Sequence, residues 1–231
     1  MSKKALVTGG SRGIGKITAK KLKELGYDVT VIGRDFSSFN EPGIKTVVFD
    51  ISDTEKINDF AKEFGDLDVL VNNAGIDRRK DYDDYPKEDV NKIIDVNIKA
   101  PVQFITAFAA VLKKNRGRVI NVASQAAEIG HRDIWYGITK AGLVNVTKSF
   151  SEILGGDGVI VNAVAPGPVE TEMIADSKYA DRFDNLKKRT ILGRIADPAE
   201  IADVIVWLAT KSPEYLNGET IDLNNGAQRI K

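Results

Sequence analysis

The chain has 231 residues, of which 42% are hydrophobic, and it carries 33 basic and 33 acidic side chains, so its formal net charge is zero. This balance argues against nucleic acid as a partner, because proteins that bind polyanions usually carry a basic excess. Cysteine is absent and His131 is the only histidine. These counts exclude disulfides, thiolate nucleophiles and metal sites built from cysteine or several histidines, and no metal site is predicted.

The sequence shows no pattern typical of a membrane span or a targeting segment. No apolar stretch approaches the about 18 residues that a membrane-spanning helix requires. The first strand-like run starts within a few residues of Met1, which leaves no room for a signal peptide. We therefore expect a cytoplasmic protein that does not cross a membrane.

Short runs rich in β-branched residues alternate with longer segments of helical periodicity. The predicted strands are residues 5–8, 29–33, 46–49, 69–71, 119–122, 159–164 and 220–223. The predicted helices are residues 14–25, 53–64, 87–114, 135–154 and 197–210. Several strands are apolar at successive positions, as expected for a parallel sheet with helices on both faces. The alternation predicts one α/β domain over residues 1–231, built on a doubly wound, seven-stranded parallel sheet.

Two predicted helical stretches, residues 102–112 and 138–154, are apolar on more than one face. A surface helix of a lone domain needs only one apolar stripe. These stretches either pack beneath other parts of the same chain or meet a second subunit. The pattern favours a helix-to-helix subunit interface.

The first predicted strand runs into a glycine-rich turn that ends where the first helix begins. The turn consists of Gly9, Gly10, Ser11, Arg12, Gly13, Ile14 and Gly15. Glycines allow a tight turn and a close approach of the backbone to a pyrophosphate, and the helix N-terminus adds free N–H groups and a positive dipole end. Although a tight turn alone could require glycines, the position in the first βαβ unit predicts a dinucleotide-binding loop.

The end of the second predicted strand indicates which dinucleotide is bound. Sites for NAD place an acidic residue there to hold the ribose 2′-hydroxyl. Here the strand ends at Gly33 and is followed by Arg34, whose guanidinium suits a 2′-phosphate. Arg12 could supply a second cation. The sequence therefore favours NADP(H) over NAD(H), the alternative being that Asp35 takes the acidic role after a small shift in register.

Further short motifs follow the glycine loop in a fixed order. They are Asn72-Asn73-Ala74-Gly75, Asn97, Ser124, Tyr136-x-x-x-Lys140 and Pro166-Gly167. Together they resemble the short-chain dehydrogenase/reductase family, and most of all its 3-oxoacyl-(acyl-carrier-protein) reductases and related carbonyl reductases. The resemblance implies a single-domain Rossmann fold, a homotetramer and an oxidoreductase that acts on CH–OH or C=O groups.

The resemblance implies a catalytic set of Asn97, Ser124, Tyr136 and Lys140. Tyr136 and Lys140 are four residues apart, so one helical turn brings them onto the same face. A lysine ammonium near the phenol is expected to lower its pKa from about 10, which would make Tyr136 a general acid/base. Ser124 is expected to hydrogen-bond the substrate oxygen. In the family the same lysine also holds the nicotinamide ribose, so Tyr136 and Lys140 are counted among the cofactor-binding residues.

The resemblance also implies further contacts to the cofactor. Asp50 and Ile51 match the family's adenine-contacting pair, and Asn73, Ala74 and Gly75 match the segment that passes the adenine ribose. The residues expected near the nicotinamide are Pro166, Gly167, Val169 and Thr171.

Asn97 carries a separate hypothesis, because Pro101 lies four residues later and has no backbone N–H. The carbonyl of Asn97 then lacks its usual partner, and we expect the helix to be interrupted there. In the family the corresponding asparagine holds a water in a proton relay to the lysine.

We expect an NADPH-dependent reductase that transfers a hydride to a ketone or 3-oxoacyl thioester, with Tyr136 as proton donor. The alternatives are an NAD(P)-dependent alcohol or sugar dehydrogenase and, from another class, a nucleotide-binding regulator without turnover. Asp157 stands where an arginine that docks an acyl carrier is expected, which weakens the case for a carrier-bound substrate. The substrate pocket is predicted from residues 125–135 and 168–195, with residues 172–192 as a lid, and residues 78–80 are predicted to form a solvated charged loop.

Overall fold

The structure is a computed structural model that describes residues 2–170 and 180–227, with side chains described for 2–170 and 184–227. Its centre is a seven-stranded parallel sheet with the strand order β3-β2-β1-β4-β5-β6-β7. The strands are β1 (Lys4–Thr8), β2 (Asp28–Gly33), β3 (Lys45–Val48), β4 (Val69–Asn72), β5 (Arg118–Val122), β6 (Ile160–Pro166) and β7 (Thr220–Leu223). The predicted doubly wound sheet is confirmed.

Helices connect the strands. They are α1 (Gly13–Glu24), α2 (Ile57–Phe64), α3 (Lys87–Ile94), α4 (Ala100–Asn115), α5 (Ile134–Gly155), α6 (Ala180–Lys188) and α7 (Pro198–Thr210). The predicted helix over residues 87–114 consists of α3 and α4, joined by a π-helical turn at Asp95–Lys99. Helix α6 falls in the predicted lid and was not predicted as a helix.

The two faces of the sheet pack against different helices. On one face, Leu22 of α1 and Ile205 of α7 are fully buried in a single apolar cluster. On the other, Phe104 and Phe108 of α4 are fully buried in a second cluster with Ile57 of α2. Coverage from both sides explains why β4 and β6 are buried at every position. Burial of this apolar area is the main stabilising contribution to the fold.

The strand order reverses next to β1, which pairs with β2 on one side and with β4 on the other. In open parallel sheets the connections diverge at such a point and leave a crevice at the carboxyl ends of the strands. The glycine loop, the segment after β4 and the segment after β5 therefore converge at one edge of the sheet.

The long helix α3–α4 changes its hydrogen-bonding repeat where its two parts meet. At the π-helical turn, Ala100 N–H donates to the carbonyl of Asp95, five residues earlier. Pro101 follows directly and offers no N–H to the preceding turn. The predicted interruption of the helix at Asn97 is wrong, because the helix continues through this point and only its hydrogen bonding changes, in a π-turn.

Residues Lys87–Asn115 form the one helix, within the described parts of the chain, that is long and apolar enough to cross a membrane. Its large side chains pack into the core, since Phe104, Ile105, Phe108 and Leu112 are fully buried. Packing within the chain therefore accounts for much of the apolar surface predicted over residues 102–112. Helix α5 differs, because Ile138 and Ile153 are exposed by 53% and 65%.

Candidate active site

A cleft with a volume of about 660 Å³ lies at the carboxyl edge of the sheet. Most of the predicted site residues line it. They are Gly9, Ser11, Arg12, Gly13, Ile14, Arg34, Asp50, Ile51, Asn73, Ala74, Gly75, Ser124, Tyr136, Lys140, Pro166, Gly167 and Val169. Gly10, Gly15 and Asn97 are not among the residues that line it, and Thr171 lies outside the described residues.

At two positions of the glycine loop, Gly9 and Gly15, the packing is too close for a side chain. Gly9 has a φ of +64°, and a Cβ at this position would lie 2.8 Å from the Cα of Ala74. A Cβ at Gly15 would lie 2.4 Å from Nδ2 of Asn73. Nδ2 of Asn73 donates to the carbonyls of Thr8 (2.9 Å) and Gly9 (3.0 Å), which ties the loop to the end of β4. The result is an open cradle in front of the N-terminus of α1, which fits a pyrophosphate.

At the end of β2 the carboxylate of Asp35 is engaged in a local turn. It accepts hydrogen bonds from the N–H of Ser37 (2.8 Å) and from its hydroxyl (3.1 Å). The bond from the backbone of Ser37 lowers the pKa of Asp35, and the bond from its side chain adds to the effect. Arg34 is exposed beside it and lines the cleft. This arrangement fits a 2′-phosphate better than a ribose hydroxyl held by Asp35.

Asp50 also lines the cleft, and the resemblance places the adenine beside it. Its carboxylate accepts from Ser52 N–H (3.0 Å) and from Nζ of Lys92 (3.1 Å). Lys92 also donates to the hydroxyl of Ser52. Burial raises the pKa of Asp50, but the hydrogen bonds from Ser52 and Lys92 outweigh it and bring the pKa to about 2. Lys92 was not predicted as a site residue, because a single lysine on a helix is usually solvated.

Three of the four predicted catalytic side chains, Ser124, Tyr136 and Lys140, line the cleft together. Ser124 follows β5 and lines the cleft together with Tyr136, which belongs to the first turn of α5. Lys140, one turn later on α5, is 3% exposed and donates from Nζ to the carbonyl of Val122 (2.8 Å). Its Nζ lies 5.7 Å from the centroid of the Tyr136 ring. A Cβ at Gly75 would lie 3.1 Å from the same Nζ, so the glycine gives the ammonium access to the cleft.

The expectation that Lys140 lowers the pKa of Tyr136 is wrong for the protein without a bound cofactor. Burial raises the pKa of Tyr136 to about 12, and the hydrogen bond with Ser124 offsets this only in part. Burial also lowers the pKa of Lys140 to about 8. The physical reason is that removal from water disfavours the charged form of each group. The charges of Asp77 and Asp133 raise the pKa of Tyr136 further.

The side chain of Asn97 ties the π-turn to the segment after β4. Its Oδ1 accepts from the N–H of Ile76 (2.9 Å), and its Nδ2 donates to the carbonyl of Ile76 (2.9 Å) and to the hydroxyl of Thr139 (3.0 Å). Asn97 is fully buried. Because the amide is committed to these bonds, only the backbone carbonyl of Asn97 remains for the predicted relay.

The segment after Gly75 forms a wall of the cleft, and the prediction of a solvated charged loop at residues 78–80 is wrong for Arg78 and Arg79. Both line the cleft together with Asp77. Nε of Arg79 donates to Oδ1 of Asp77 (3.1 Å), and Nε of Arg78 lies 3.1 Å from Oδ1 of Asp89. The sequence lacked a signal for this position, since a run of charges usually marks a solvated face.

Two further side chains line the cleft beside Tyr136. The centroid of the His131 ring lies 5.1 Å from that of Tyr136. Oε1 of Gln125 is buried and, among the described residues, has no hydrogen-bond partner. A buried polar atom without a partner at a cleft wall fits a site that receives a polar ligand group. The prediction of a substrate pocket from residues 125–135 named this segment but not Gln125.

Helix α6 also reaches the cleft, through Leu186. The part of the predicted lid at residues 172–179 lies outside the described residues. Val169 pairs with Ala196 in an isolated parallel bridge, which joins the two ends of this segment.

A doubly wound sheet with a glycine cradle and a converging Ser–Tyr–Lys set defines the class of nicotinamide-dependent oxidoreductases. Residues 9–228 match a family model described as Enoyl-(Acyl carrier protein) reductase. The 3-oxoacyl-(acyl-carrier-protein) reductase FabG of Vibrio harveyi is 36% identical over 243 residues, which cover 98% of this chain and 97% of the relative. The gluconate 5-dehydrogenase of Gluconobacter oxydans (strain 621H) is 32% identical over 243 residues, which cover 96% of this chain and 93% of the relative.

A solved structure shows the same fold. The gluconate 5-dehydrogenase of Burkholderia cenocepacia J2315, in complex with NADP and tartrate, superposes with a TM-score of 0.91 at 28% identity. The match covers 100% of this chain and 97% of that one. The chain belongs to the short-chain dehydrogenase/reductase family, as predicted.

Proposed function

We propose that this protein is a cytoplasmic NADPH-dependent reductase that converts a ketone or 3-oxoacyl thioester to the alcohol, with Tyr136 as proton donor. The convergence of Ser124, Tyr136 and Lys140 in a cleft that starts at the glycine cradle carries this proposal. A regulator that only binds a nucleotide needs no half-buried proton donor beside a lysine. The family's assembly as a homotetramer is part of the proposal.

The residues of the cleft fit NADP(H) along its whole length. The glycine cradle of residues 9–15 would hold the pyrophosphate, Arg34 the 2′-phosphate, and Asp50 with Ile51 the adenine. The segments 73–75 and 166–169 would flank the ribose and the nicotinamide. Bound NADPH supplies the hydride, and the protein supplies position and a proton.

Tyr136 holds the proton that the direction of reduction requires. Because its pKa is about 12, the phenol is protonated throughout the physiological range. As the substrate carbon accepts the hydride, its oxygen gains negative charge, takes the proton from Tyr136 and becomes a hydroxyl. Ser124 would hydrogen-bond the same oxygen, and the ammonium of Lys140 would favour the transient phenolate. One proton from solvent, passed by way of Lys140, then restores Tyr136.

A second candidate function, the dehydrogenation of a sugar acid, is favoured by the wall formed by residues 77–79. Arg78 and Arg79 bring two guanidinium groups to the cleft, where the Nε of each already faces a carboxylate of the chain, and guanidinium groups bind carboxylates well. The basic residues that would dock an acidic acyl carrier are less evident than this wall. Arg118 donates to Ser212 Oγ (2.6 Å) and to the Ser212 carbonyl (2.9 Å) inside the fold, and Asp157 pairs with Lys113.

The test measures nicotinamide absorbance with two substrates, acetoacetyl-coenzyme A with NADPH and gluconate with NADP, with NADH and NAD as controls. We expect turnover with at least one phosphorylated cofactor. Tyr136→Phe removes the proton donor, so its kcat should fall by at least about 100-fold, while its Kd for NADPH stays within about twofold of wild type. Unchanged turnover in this variant would contradict the assignment of Tyr136, and failure of the wild type to bind NADPH would contradict the cofactor.

A further inference from the structure

Asp133 is a buried carboxylate, 2% exposed, at the point where the catalytic helix meets the wall of the cleft. It is the N-cap of α5, and its Oδ1 accepts from the N–H of Tyr136 (3.0 Å) and from the hydroxyl of Tyr85 (3.0 Å). Its Oδ2 accepts from the backbone N–H groups of Arg78 (2.8 Å) and Arg79 (3.0 Å). One carboxylate therefore joins three separate segments of the chain.

The backbone of the joined segment is unusual. Arg79 has a φ of +52°, a left-handed conformation that residues other than glycine rarely adopt. Such a conformation persists only where the surroundings hold it in place. The two successive N–H groups that point at Oδ2 form a concave anion site, and Asp133 occupies it as an anion from within the chain.

We propose that Asp133 is a positioning residue that fixes the wall carrying Arg78 and Arg79 relative to the proton donor Tyr136. The two oxygens divide this work, because Oδ2 holds the wall and Oδ1 holds the first turn of α5. A substrate bound between the arginines and the phenol is then presented to Tyr136 at one fixed distance. This proposal rests on the proposed function of Tyr136, although the clamp itself can be measured without turnover.

Asp133→Asn separates positioning from simple capping of the helix. Asparagine caps helices as well as aspartate does, so a residue needed only as a cap should tolerate the change. The amide keeps one acceptor oxygen but turns the other into an NH₂ group, which cannot accept from Arg78 and Arg79. The matched control is Asp197→Asn, the same change at the N-cap of α7, where Asp197 accepts from Ala199 N–H (2.7 Å).

We expect Asp133→Asn to keep its Kd for NADPH close to wild type and to lower its thermal midpoint, because the N–H groups of Arg78 and Arg79 lose their buried acceptor. Its kcat with the active probe, acetoacetyl-coenzyme A or gluconate, should fall by about tenfold or more, because small displacements from the reactive geometry are costly. In hydrogen exchange, the amides of Arg78 and Arg79 should lose protection. Asp197→Asn should change neither the kcat nor the protection of these two amides. Wild-type kcat together with protected amides in Asp133→Asn would overturn the proposal.

Two further outcomes remain decisive. If the wild type turns over neither probe, the proposed function fails, and amide exchange alone then decides whether Asp133 holds the wall. If Asp133→Asn does not fold, Tyr85→Phe replaces it, because it removes one bond to the same carboxylate. Tyr85→Phe should lower kcat by less than the tenfold expected above and speed exchange at Arg78 and Arg79, whereas no change in either would overturn the proposal.

Discussion

Lys140 lies in a buried position where the charged form of its side chain lowers the stability of the fold. The side chain is 3% exposed, and its Nζ has one carbonyl acceptor, that of Val122. Burial lowers its pKa from 10.5 to about 8. Between these values the unfolded chain binds a proton that the folded chain has released, so stability rises with pH across this window. Below about pH 8 the folded protein carries the buried charge and is less stable than it would be with an apolar residue there.

We therefore predict that Lys140→Met stabilises the protein and inactivates it. At neutral pH the free energy of unfolding should rise by about 1–2 kcal/mol, since the removed charge outweighs the lost hydrogen bond. Urea denaturation at neutral pH and at about pH 10 measures the effect, and the gap to wild type should narrow at the higher pH. A less stable variant at neutral pH would contradict the pKa assigned to Lys140.

Arg34 gives a prediction about cofactor choice. Arg34→Ala should raise the Kd for NADPH by about tenfold or more, because it removes a charged hydrogen-bond donor from the 2′-phosphate. The Kd for NADH, which lacks that phosphate, should change by less than about twofold. Fluorescence titration measures both constants, and Arg116→Ala, at an exposed arginine outside the cleft, is the control. An equal loss of affinity for both cofactors would argue against a phosphate contact.

At the scale of single residues, motif spacing predicted the side chains that the structure brings together in the cleft better than those around them. The order of Ser124, Tyr136 and Lys140 was informative because the chemistry requires these groups together. Gln125 and Asp133 were not identified, since their roles depend on contacts between segments far apart in the sequence. The pKa of Tyr136 was predicted to be lowered but is raised for the same reason, because burial is a property of the folded chain.

At the scale of elements, the helix α3–α4 shows what periodicity cannot resolve. Its apolar pattern predicted one helix over residues 87–114, but a π-turn adds one residue to a single turn and leaves the pattern on either side intact. Pro101 was the only local sequence signal for a change in the helix. It indicated where the change occurs but not that the change is a π-turn. Helix α6 was missed because its composition is strongly charged.

We predict that Pro101→Ala lowers activity without weakening the fold. The new N–H can donate to the carbonyl of Asn97 and withdraw it from the proposed proton relay. The kcat should fall by less than the about 100-fold that general acid–base catalysis contributes, with an unchanged Kd for NADPH. Stopped-flow measurement of nicotinamide oxidation tests this, and Pro198→Ala, at the first turn of α7, controls for the loss of a helix proline. An unaltered kcat would exclude the carbonyl of Asn97 from the relay.

At the scale of the whole molecule, the alternation of strands and helices predicted the fold class, because a parallel sheet requires a crossover after every strand. The exposed face of α5 was anticipated as well, but the sequence could not separate it from the apolar face that α4 buries. Which apolar helix faces outward depends on the order of the strands, and that order is set by contacts distant in sequence.

The exposed isoleucines of α5 give the prediction at this scale. The 25.2 kDa chain should sediment as a tetramer, and Ile138→Asp should dissociate it into smaller species, since a buried unpaired charge is unfavourable at an interface. Tyr215→Asp, at a fully exposed aromatic residue, should leave the mass unchanged. A monomeric wild type in sedimentation velocity would contradict both the interface and the homotetramer.

The imidazole ring next to Tyr136 has a practical consequence. Because the chain holds a single histidine, its ring protons give one isolated set of signals in a proton NMR spectrum. That ring lies 5.1 Å from the phenol, within the region where aromatic ring currents displace chemical shifts. Ligands that enter the cleft beside Tyr136 should therefore shift the signals of His131, so binding can be followed on the native side chain.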